Sequence, residues 1–302
     1  MGCISQIRQE REYLGIQSGE QEKGLPIELS CRILKVSRAA YYAWLRGKNG
    51  KRVRENEEIA GLVEKIHGQH PDMGYRRLND QLKREHGIKI SDKRMLRICR
   101  AKQIQSTIKY ARTGCTKSEK DPQFTAENIL DRKFHAYRPN TKWVTDVTEF
   151  KWYEGTEVHK VYLSAILDLC DRRIVSYVLG DRNDNRLVFD TFDLAAAENP
   201  EAKPIFHSDR GFQYTNRIFH QKLVDRGMTQ SMSRVAHCLD NGPMEGFWGI
   251  LKRECYYGKR FTSRESLVQM IQNYIFYYNN ERVQRNLGIL TPMEVHLLKT
   301  AA

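Results

Sequence analysis

The sequence has little that would send the protein out of the cytoplasm or tie it to a membrane. No apolar run is long enough for a signal peptide or a membrane-spanning helix, and Gln6 stands where an N-myristoylation signal requires Ser or Thr. The seven cysteines are scattered and form no C-x-x-C pair, so the sequence has neither the ligand spacing of a zinc module nor a disulfide framework. We therefore expect a cytoplasmic protein with reduced thiols.

Acidic residues are too few to balance the basic ones. The 302-residue chain has 50 Lys and Arg against 37 Asp and Glu, a formal charge of +13 and a pI near 9.4. Residues 51–117 hold 17 of the basic residues and 8 of the acidic ones, so most of the excess lies in this region. Such a region is typical of a protein that binds nucleic acid, although the charge alone also fits a membrane-surface protein or an ordinary soluble one.

The length of the chain and the changes in its residue pattern indicate several domains. A chain of 302 residues can bury a core and has room for two or three domains. Periodicity is weak before Pro26 and again from 106 to 138, where a short helix near Ile129 is the one element that we predict. The predicted divisions are a helical lead-in over 1–50, a helix-turn-helix domain over 51–105, a linker over 106–138, an α/β core over 139–260 and a helical extension over 261–302.

Residues 55–105 predict three helices, the last of them strongly basic. Apolar residues recur at helical spacing, Gly87 is a natural end for the second helix, and Ser91 is a natural start for the third. Two helices, a turn and a basic third helix match a helix-turn-helix, whose last helix enters the DNA major groove; the alternative is a small bundle with a solvated basic surface. The candidate DNA contacts on the third helix are Lys93, Arg94, Arg97 and Arg100.

After residue 139 the pattern changes to strands. KWVTDVTEFKW, HKVYLSAILDL and RRIVSYVLG are runs rich in β-branched and aromatic residues. They are followed by the helix NRLVFDTFDLAAAE, the strand KPIFHSD, the helix NRIFHQKLVDRG, the strand TQSMS and the helix PMEGFWGILKREC. This order predicts an α/β domain with a five-stranded mixed sheet and helices on its faces. A final helix is expected to begin at a capping box formed by Thr262 and Glu265.

Three acidic residues stand where an α/β sheet gathers functional groups. Asp146 lies within the first strand, Asp209 ends the fourth, and Glu245 lies in the first turn of the helix that begins near Pro243. Strand ends and nearby helix termini share one crevice, so these carboxylates can converge, and their repulsion would then require a hard cation such as Mg²⁺ or Mn²⁺. A single aspartate at a strand end more often caps a turn. The aspartates expected to do so are Asp168, Asp171 and Asp240.

Successive blocks of the sequence resemble those of one family. From about 141 to 296 they are WVTDVTEF, LDLCDRRIVSY, HSDRGFQYTN, SMSRVAHCLDNGPMEGFWGILKRE and YYNNERVQRNLGILTPMEV, and HPDMGYRRLNDQL and LSCRILKVSRAAYYAWLRG precede them. Together they are similar to the IS3-family insertion-sequence transposase, the product of its second reading frame. The resemblance implies an RNase H-like catalytic domain of the retroviral-integrase type, preceded by a helix-turn-helix domain. Its DDE triad would be Asp146, Asp209 and Glu245.

The resemblance also implies a chemistry and its partners. The protein would be a polynucleotidyl transferase that cleaves and joins DNA strands with two Mg²⁺ ions, or Mn²⁺, bound by the triad. Lys252 would contact DNA, the alternative being an ordinary solvated lysine. The expected partners are double-stranded DNA (terminal inverted repeats and target), further copies of the chain on paired ends, and the product of the upstream frame or a fusion with it. The reaction would take place at the bacterial nucleoid.

The N-terminal segment bears on the upstream partner. Nothing before residue 50 is long or periodic enough for a further helix-turn-helix or an oligomerising helix. We therefore expect such parts to come from the upstream product.

Two other classes of protein share parts of this pattern. A DNA-binding regulator could keep the fold without catalysis, but the intact set of three acids argues against it. An RNase H-type nuclease that acts on RNA–DNA hybrids would share the metal site but would not need the basic helix-turn-helix. A metal-dependent assay on both kinds of substrate separates these classes.

Overall fold

The computed structural model describes residues 2–48, 51–108, 123–235 and 237–301. The chain divides into two compact units, one of Met1–Pro71 with Lys89–Gln105 and one of Asp72–Ile88 with Ser106–Ala302. Across the described ranges, no helix is both long enough and apolar enough to cross a membrane.

Helices make up the first unit, and helices and a sheet make up the second. The helices are α1 (Gly2–Lys23), α2 (Ile27–Ile33), α3 (Arg38–Lys48), α4 (Lys51–Gln69), α5 (Tyr75–His86), α6 (Asp92–Ala101), α7 (Asn185–Glu198), α8 (Arg217–Asp225), α9 (Gly242–Leu251), α10 (Arg264–Asn280) and α11 (Pro292–Thr300). The strands are β1 (Lys142–Glu154), β2 (Glu157–Asp168), β3 (Ile174–Gly180), β4 (Ile205–Ser208) and β5 (Thr229–Met232). A π-helical turn, Lys252–Tyr256, follows α9 directly.

In the first unit, α1, α2 and α3 share a small core formed by Tyr13, Ile16, Cys31 and Tyr41. α1 has 22 residues, so the expectation that nothing before residue 50 is long enough for an oligomerising helix is wrong as to length. Only Tyr13 and Ile16 are buried among the α1 side chains that the structure describes, and Leu14 is 44% exposed. A helix that buries so few apolar residues leaves almost no periodic signal in the sequence.

Residues 51–105 contain three helices, as the sequence predicts. α4 and α6 pack together in the first unit, whereas α5 belongs to the second. α5 ends at Gly87, whose φ of 66° lies in the left-handed region that glycine adopts freely. α6 begins after Ser91, whose Oγ accepts a hydrogen bond from the Arg94 amide at 3.2 Å. Both predicted helix ends are confirmed.

The second unit is built on a five-stranded mixed sheet in the order β3-β2-β1-β4-β5. β1, β2 and β3 pair antiparallel, while β4 pairs parallel with β1 and β5 pairs parallel with β4. The predicted α/β fold is therefore confirmed. β4 pairs with β1 only over Lys142–Val144, so β1 continues beyond the end of its shorter neighbour.

Successive strand residues face opposite sides of this sheet, and helices cover each side. Val144 and Phe150 of β1 share a core with α9 and α10, and Trp143 shares a core with α7 and α8 on the other side. Asp146 is two residues from Val144 and therefore faces the side of α9. The apolar residues predicted for the last long helix, Leu267, Ile271, Tyr274, Ile275 and Tyr278, are all buried in the core under α10.

The predicted start of that last long helix is wrong by one residue. α10 begins after Ser263, whose side chain accepts a first-turn backbone N–H. Thr262 and Glu265 therefore form no capping box. A capping box does start α11, where Thr291 and Glu294 each bond the backbone of the other.

Part of the predicted linker, residues 109–122, lies outside the described residues. The described remainder, 106–108 and 123–138, belongs to the second unit, and Leu130 and Ala136 are buried in its core. The short helix predicted near Ile129 is wrong. Asp131 and Arg132 have φ values of 43° and 56°, which a right-handed helix does not allow.

Candidate active site

Asp146 and Asp209 come together through the parallel pairing of β1 with β4. Val144 pairs with His207, and each aspartate lies two residues further along its own segment. Paired strands lie about 5 Å apart, and residues two positions apart share a face. The sheet register thus places two acids that are distant in sequence side by side. Both remain partly exposed.

Glu245 reaches the same place from α9. It lies in the first turn of that helix, on the side of the sheet that Asp146 faces. Met244, Phe247 and Leu251 are buried beneath the helix and hold it against the sheet. Glu245 itself is exposed, and its charge acts on Asp146. The structure therefore brings all three predicted acids into one neighbourhood.

Within this cluster, the charge of Asp209 makes both other carboxylates harder to ionise, and the charge of Glu245 adds to the effect on Asp146. Burial, and then the charge of Asp209, raises the pKa of Asp146 to about 8, and Glu245 adds to this effect. Burial raises the pKa of Asp209 as well. Burial and the charge of Asp209 raise the pKa of Glu245. A positive charge placed among them would stabilise the ionised triad.

The chemistry of these donors fits a hard divalent cation, because Mg²⁺ and Mn²⁺ prefer carboxylate oxygens. Within the described residues, however, no group of three or more His, Cys, Asp and Glu side chains already has the spacing of a metal site. The sheet sets the backbone positions of these acids, while carboxylate side chains change rotamer at small cost, so the present spacing does not prevent them from binding a cation.

Two of the acids are held by specific hydrogen bonds. Trp248 Nε1 donates to Oδ2 of Asp146 at 3.0 Å, and the Val147 amide donates to Oδ1 at 2.7 Å. The Gly211 amide donates to Oδ1 of Asp209 at 2.9 Å. A Cβ at position 211 would lie 3.1 Å from that oxygen, so the close approach of the amide to the carboxylate favours glycine.

The segment before α9 is anchored at two points. Asn241 Nδ2 donates to the Thr145 carbonyl at 2.9 Å, which ties the start of α9 to β1. Asp240 is fully buried and accepts hydrogen bonds from Arg132 at 2.7 Å and from Arg234 at 2.8 Å. The guanidinium groups of Arg234 and Arg132 hold the pKa of Asp240 well below its usual range, although burial opposes them. Asp240 therefore does more than cap a turn.

The other two aspartates expected to cap turns do so. Asp168 Oδ1 accepts the Cys170 amide at 2.6 Å, and Asp171 Oδ1 accepts the Arg173 amide at 2.9 Å. Asp168 is the last residue of β2, and Asp171 lies in the connection between β2 and β3. Neither is part of the acidic cluster.

Lys252 directly follows α9 and is the first residue of the π-helical turn. Its Nζ lies 5.1 Å from the ring centre of Phe150, and the side chain is half-buried. Burial lowers the pKa of Lys252, while the charges of Asp146 and Glu149 oppose this effect. The ammonium group thus lies within the field of the acidic cluster.

The four basic residues of α6, in the first unit, differ in their surroundings. The exposed ones are Lys93, Arg97 and Arg100. The side chain of Arg94 is only 19% exposed, and it donates to Asn56 at 2.8 Å and to Glu55 at 3.1 Å. Three of the predicted DNA contacts therefore lie on the surface, while Arg94 is engaged inside the unit.

Trp248, Gly211 and Arg234 did not emerge from the sequence as site residues. Trp248 carried a usable signal, because a residue three positions after Glu245 lies on the same face of a helix. Gly211 lies two residues after Asp209, and Arg234 lies six residues before Asp240, so both contacts are local. No residue pattern in the sequence identifies either of them.

Three family models match the chain. Two are described as integrase core domains and match residues 136–238 and 245–296. The third is described as an HTH-like domain and matches residues 54–112. The matched ranges cover the acidic cluster and the three helices α4, α5 and α6.

Known proteins match over most of the length. InsK of insertion sequence element IS150 from Escherichia coli K12 is 36% identical over 272 residues, which are 89% of this chain and 93% of that protein. The transposase InsF of insertion sequence IS3A, also from E. coli K12, is 28% identical over 93% of this chain and 96% of that protein.

Solved structures match at lower identity. The HTLV-2 integrase catalytic core domain in complex with magnesium is 18% identical over 53% of this chain and 97% of that chain, with a TM-score of 0.39. A simian T-cell lymphotropic virus intasome chain is 18% identical over 79% of this chain and 74% of that chain, with a TM-score of 0.46. The family models and the long relatives decide the assignment: the chain belongs to the IS3 family of insertion-sequence transposases, which are DDE-type polynucleotidyl transferases with an integrase core.

Proposed function

We propose that this transposase cleaves and joins DNA strands at the ends of an insertion sequence in a reaction that requires a divalent cation. The observation that carries the proposal is the cluster of Asp146, Asp209 and Glu245, in which the charge of Asp209 raises the pKa of both other acids. Repelling carboxylates of this kind are stabilised by Mg²⁺ or Mn²⁺. We assign all three as catalytic residues and metal ligands.

Two divalent cations held by these carboxylates would activate the attacking water or 3′-hydroxyl and stabilise the departing oxygen. The protein's own contribution is to fix the carboxylate oxygens that would bind the cations. Trp248 and the Val147 amide each occupy one oxygen of Asp146, and the Gly211 amide occupies one oxygen of Asp209. A carboxylate has about four acceptor sites, so each acid keeps sites for a ligand.

Other residues would hold the third acid and the substrate. The bonds of Asn241 and Asp240 fix the chain where α9 begins, and therefore fix Glu245 relative to β1. Lys252 lies close enough to Asp146 for the charge of that carboxylate to raise the pKa of the lysine. We propose that its ammonium group contacts a DNA phosphate next to the acids, which it could reach by rotating away from Phe150.

A panel of substrates tests the proposed reaction. The purified chain is given labelled duplexes that carry the insertion-sequence end, unrelated duplexes and RNA–DNA hybrids, each with Mg²⁺, Mn²⁺ or EDTA. We expect nicked and joined DNA products with either cation, none with EDTA and no cleavage of the hybrid, because the chemistry needs the cations and the basic α6 suits duplex DNA.

Each alternative class gives a different pattern in this panel. Hybrid hydrolysis without strand joining would identify an RNase H-type nuclease. Binding of the end duplex without any cleavage would identify a regulator that keeps the fold. Either pattern contradicts the proposal.

We propose that α6 contacts DNA through its exposed basic residues, of which Arg97 is the informative one. Arg97→Ala should weaken binding at every salt concentration and flatten the slope of log affinity against log salt by about one, since each lost phosphate contact releases about one counterion fewer. Fluorescence anisotropy over a salt series measures the slope.

Arg94→Ala is the matched control on the same helix. Its guanidinium is already paired with Glu55, so its loss should lower the melting temperature more than it changes the salt slope. A larger change in slope for Arg94→Ala than for Arg97→Ala would reverse the assignment.

We further propose partners and a location. Joining two ends requires protein on both, so we propose that several copies act on the paired terminal inverted repeats and the target DNA, at the nucleoid in the bacterial cytoplasm. The presence of α1 removes the argument that the N-terminal segment lacks a long helix. A role for the upstream-frame product now rests on family membership, and repeating the substrate panel with and without that product measures it.

A further inference from the structure

Helix α5 is fastened to the rest of the second unit by ion pairs along one face. Arg77, Asp80 and Arg84 are three and four residues apart, so they share a face of the helix. Their partners lie far along the chain: Arg77 donates to Glu254 at 2.9 Å, Asp80 accepts from Arg285 at 2.6 Å, and Arg84 donates to Glu294 at 2.7 Å. This face of α5 is therefore occupied by contacts with other parts of the same unit.

The pair of Arg77 and Glu254 is the buried member of this row. The side chain of Glu254 is 6% exposed and that of Arg77 is 19% exposed. In the pair of Arg84 and Glu294 the exposed fractions are 33% and 39%. Solvent weakens an exposed ion pair far more than a buried one, so Arg77 and Glu254 form the stronger connection.

Glu254 is also the centre of a larger network. It accepts two bonds from Arg282, at 2.7 and 3.0 Å, and one from the Tyr274 hydroxyl at 2.8 Å. Arg77 in turn donates to the Tyr277 hydroxyl at 2.9 Å. Burial on its own would raise the pKa of Glu254, but Arg282 and Arg77 hold it below its ordinary value. The carboxylate is therefore ionised and fully bonded at neutral pH.

Glu254 lies in the π-helical turn that continues α9. The Tyr257 amide donates to the Lys252 carbonyl at 2.7 Å, five residues back, which closes the wider turn. Such turns are rare and often mark functional sites. Glu245 and Lys252 lie on the same continuous helical segment. Because a helix is stiff, the position at which the π turn is anchored sets the position of both.

We infer that Glu254 is a positioning residue that couples α5 to α9, so that the placement of α5 sets the placement of Glu245. The inference rests on the proposed catalytic role of Glu245. Residues 87–91 lead from α5 directly into α6, which carries the proposed DNA contacts.

The test compares variants of the full chain in single-turnover strand cleavage at saturating DNA. Glu254→Gln is expected to lower the rate constant about tenfold or more while the dissociation constant for DNA stays within about twofold. Tyr277→Phe, which removes one bond to Arg77 without changing any charge, is expected to lower the rate by a smaller factor. This second variant carries the test if Glu254→Gln fails to fold. Circular dichroism and melting temperature monitor folding.

Arg84→Met and Glu294→Gln are the matched controls. They break an ion pair that joins α5 to α11, and this pair does not involve α9. Both are expected to cleave at the wild-type rate. In a double-mutant cycle, Arg77→Met should add little to the rate loss of Glu254→Gln, because both remove one coupling.

Wild-type rates in both Glu254→Gln and Tyr277→Phe would overturn the inference, as would equal losses in the Arg84 and Glu294 controls or additive effects in the cycle. Failure of the proposed function has a different signature. It would be seen as normal cleavage by Glu245→Gln, whatever the result at Glu254.

Discussion

Asp146→Asn, Asp209→Asn and Glu245→Gln are each expected to abolish strand cleavage and strand joining while leaving DNA binding largely intact. Each change removes a negative charge that we assign to cation binding, and we expect the rate to fall by about a thousandfold or more, equivalent to ~4 kcal/mol of transition-state stabilisation. Gel assays with labelled insertion-sequence ends measure both reactions. Anisotropy measures the retained binding, which should tighten slightly without Mg²⁺ because repulsion of phosphate is reduced.

Asp190→Asn is a suitable control for these three variants. Asp190 lies on α7, its side chain is 49% exposed, and it pairs with Arg186 at 3.4 Å. Its replacement changes the net charge by the same amount at a place away from the acidic cluster and should leave the rate unchanged. A triad variant that cleaves and joins as well as the wild type would remove that residue from the mechanism.

Asp146→Asn is also expected to make the metal-free protein more stable than the wild type at pH 8. The pKa of Asp146 in the folded protein is raised to about 8, above its ordinary value of 3.8, so the folded state binds this proton more tightly than the unfolded state. The free energy of unfolding should therefore fall as the pH rises from about 4 to about 8, by an amount on the order of a few kcal/mol. Asn removes this loss, although it can accept only one of the bonds from Val147 and Trp248.

Thermal melts with EDTA or Mg²⁺ at pH 5 and pH 8 measure this effect. Mg²⁺ should raise the melting temperature of the wild type at pH 8 and should do little for Asp146→Asn, which lacks a ligand. Asp168→Asn is the control. Burial and the charge of Asp171 raise the pKa of Asp168 to about 6, so its replacement also changes the pH dependence but should leave the Mg²⁺ response intact. A metal-free wild type whose stability rises with pH would contradict the prediction.

The fold of the second unit could be predicted because its patterns are strong and local. The segment NRLVFDTFDLAAAE forms α7 over the same residues, and the five strand-like runs form the five strands. The three acids could be named because Asp209 ends a strand, Glu245 starts a helix and Asp146 lies in a neighbouring strand, and because the surrounding blocks resemble those of one family. These features depend on short stretches of sequence, because helix and strand patterns arise from residues a few positions apart.

What the sequence did not reveal depends on long-range contacts. Nothing near Arg77 indicates that it bonds Glu254, and nothing near Asp240 indicates that Arg132 bonds it. α1 was missed because it buries only a few apolar residues among its described side chains. The start of α10 was misplaced because Thr262 and Ser263 are adjacent residues that can both cap a helix.

The order of the strands has a consequence for when the protein becomes active during its synthesis. β1 lies beside β4 in the sheet, yet β2, β3 and α7 are made between them, and Glu245 comes later still on a helix that packs with α10. A nascent chain that has reached β3 carries Asp146 without either of its partners. Because chains emerge from the ribosome with the N-terminal part first, and parallel pairing must wait for the whole crossover, the proposed cutting centre is completed only near the end of translation. Truncated products of interrupted translation that end before Asp209 would therefore lack part of the proposed cutting centre.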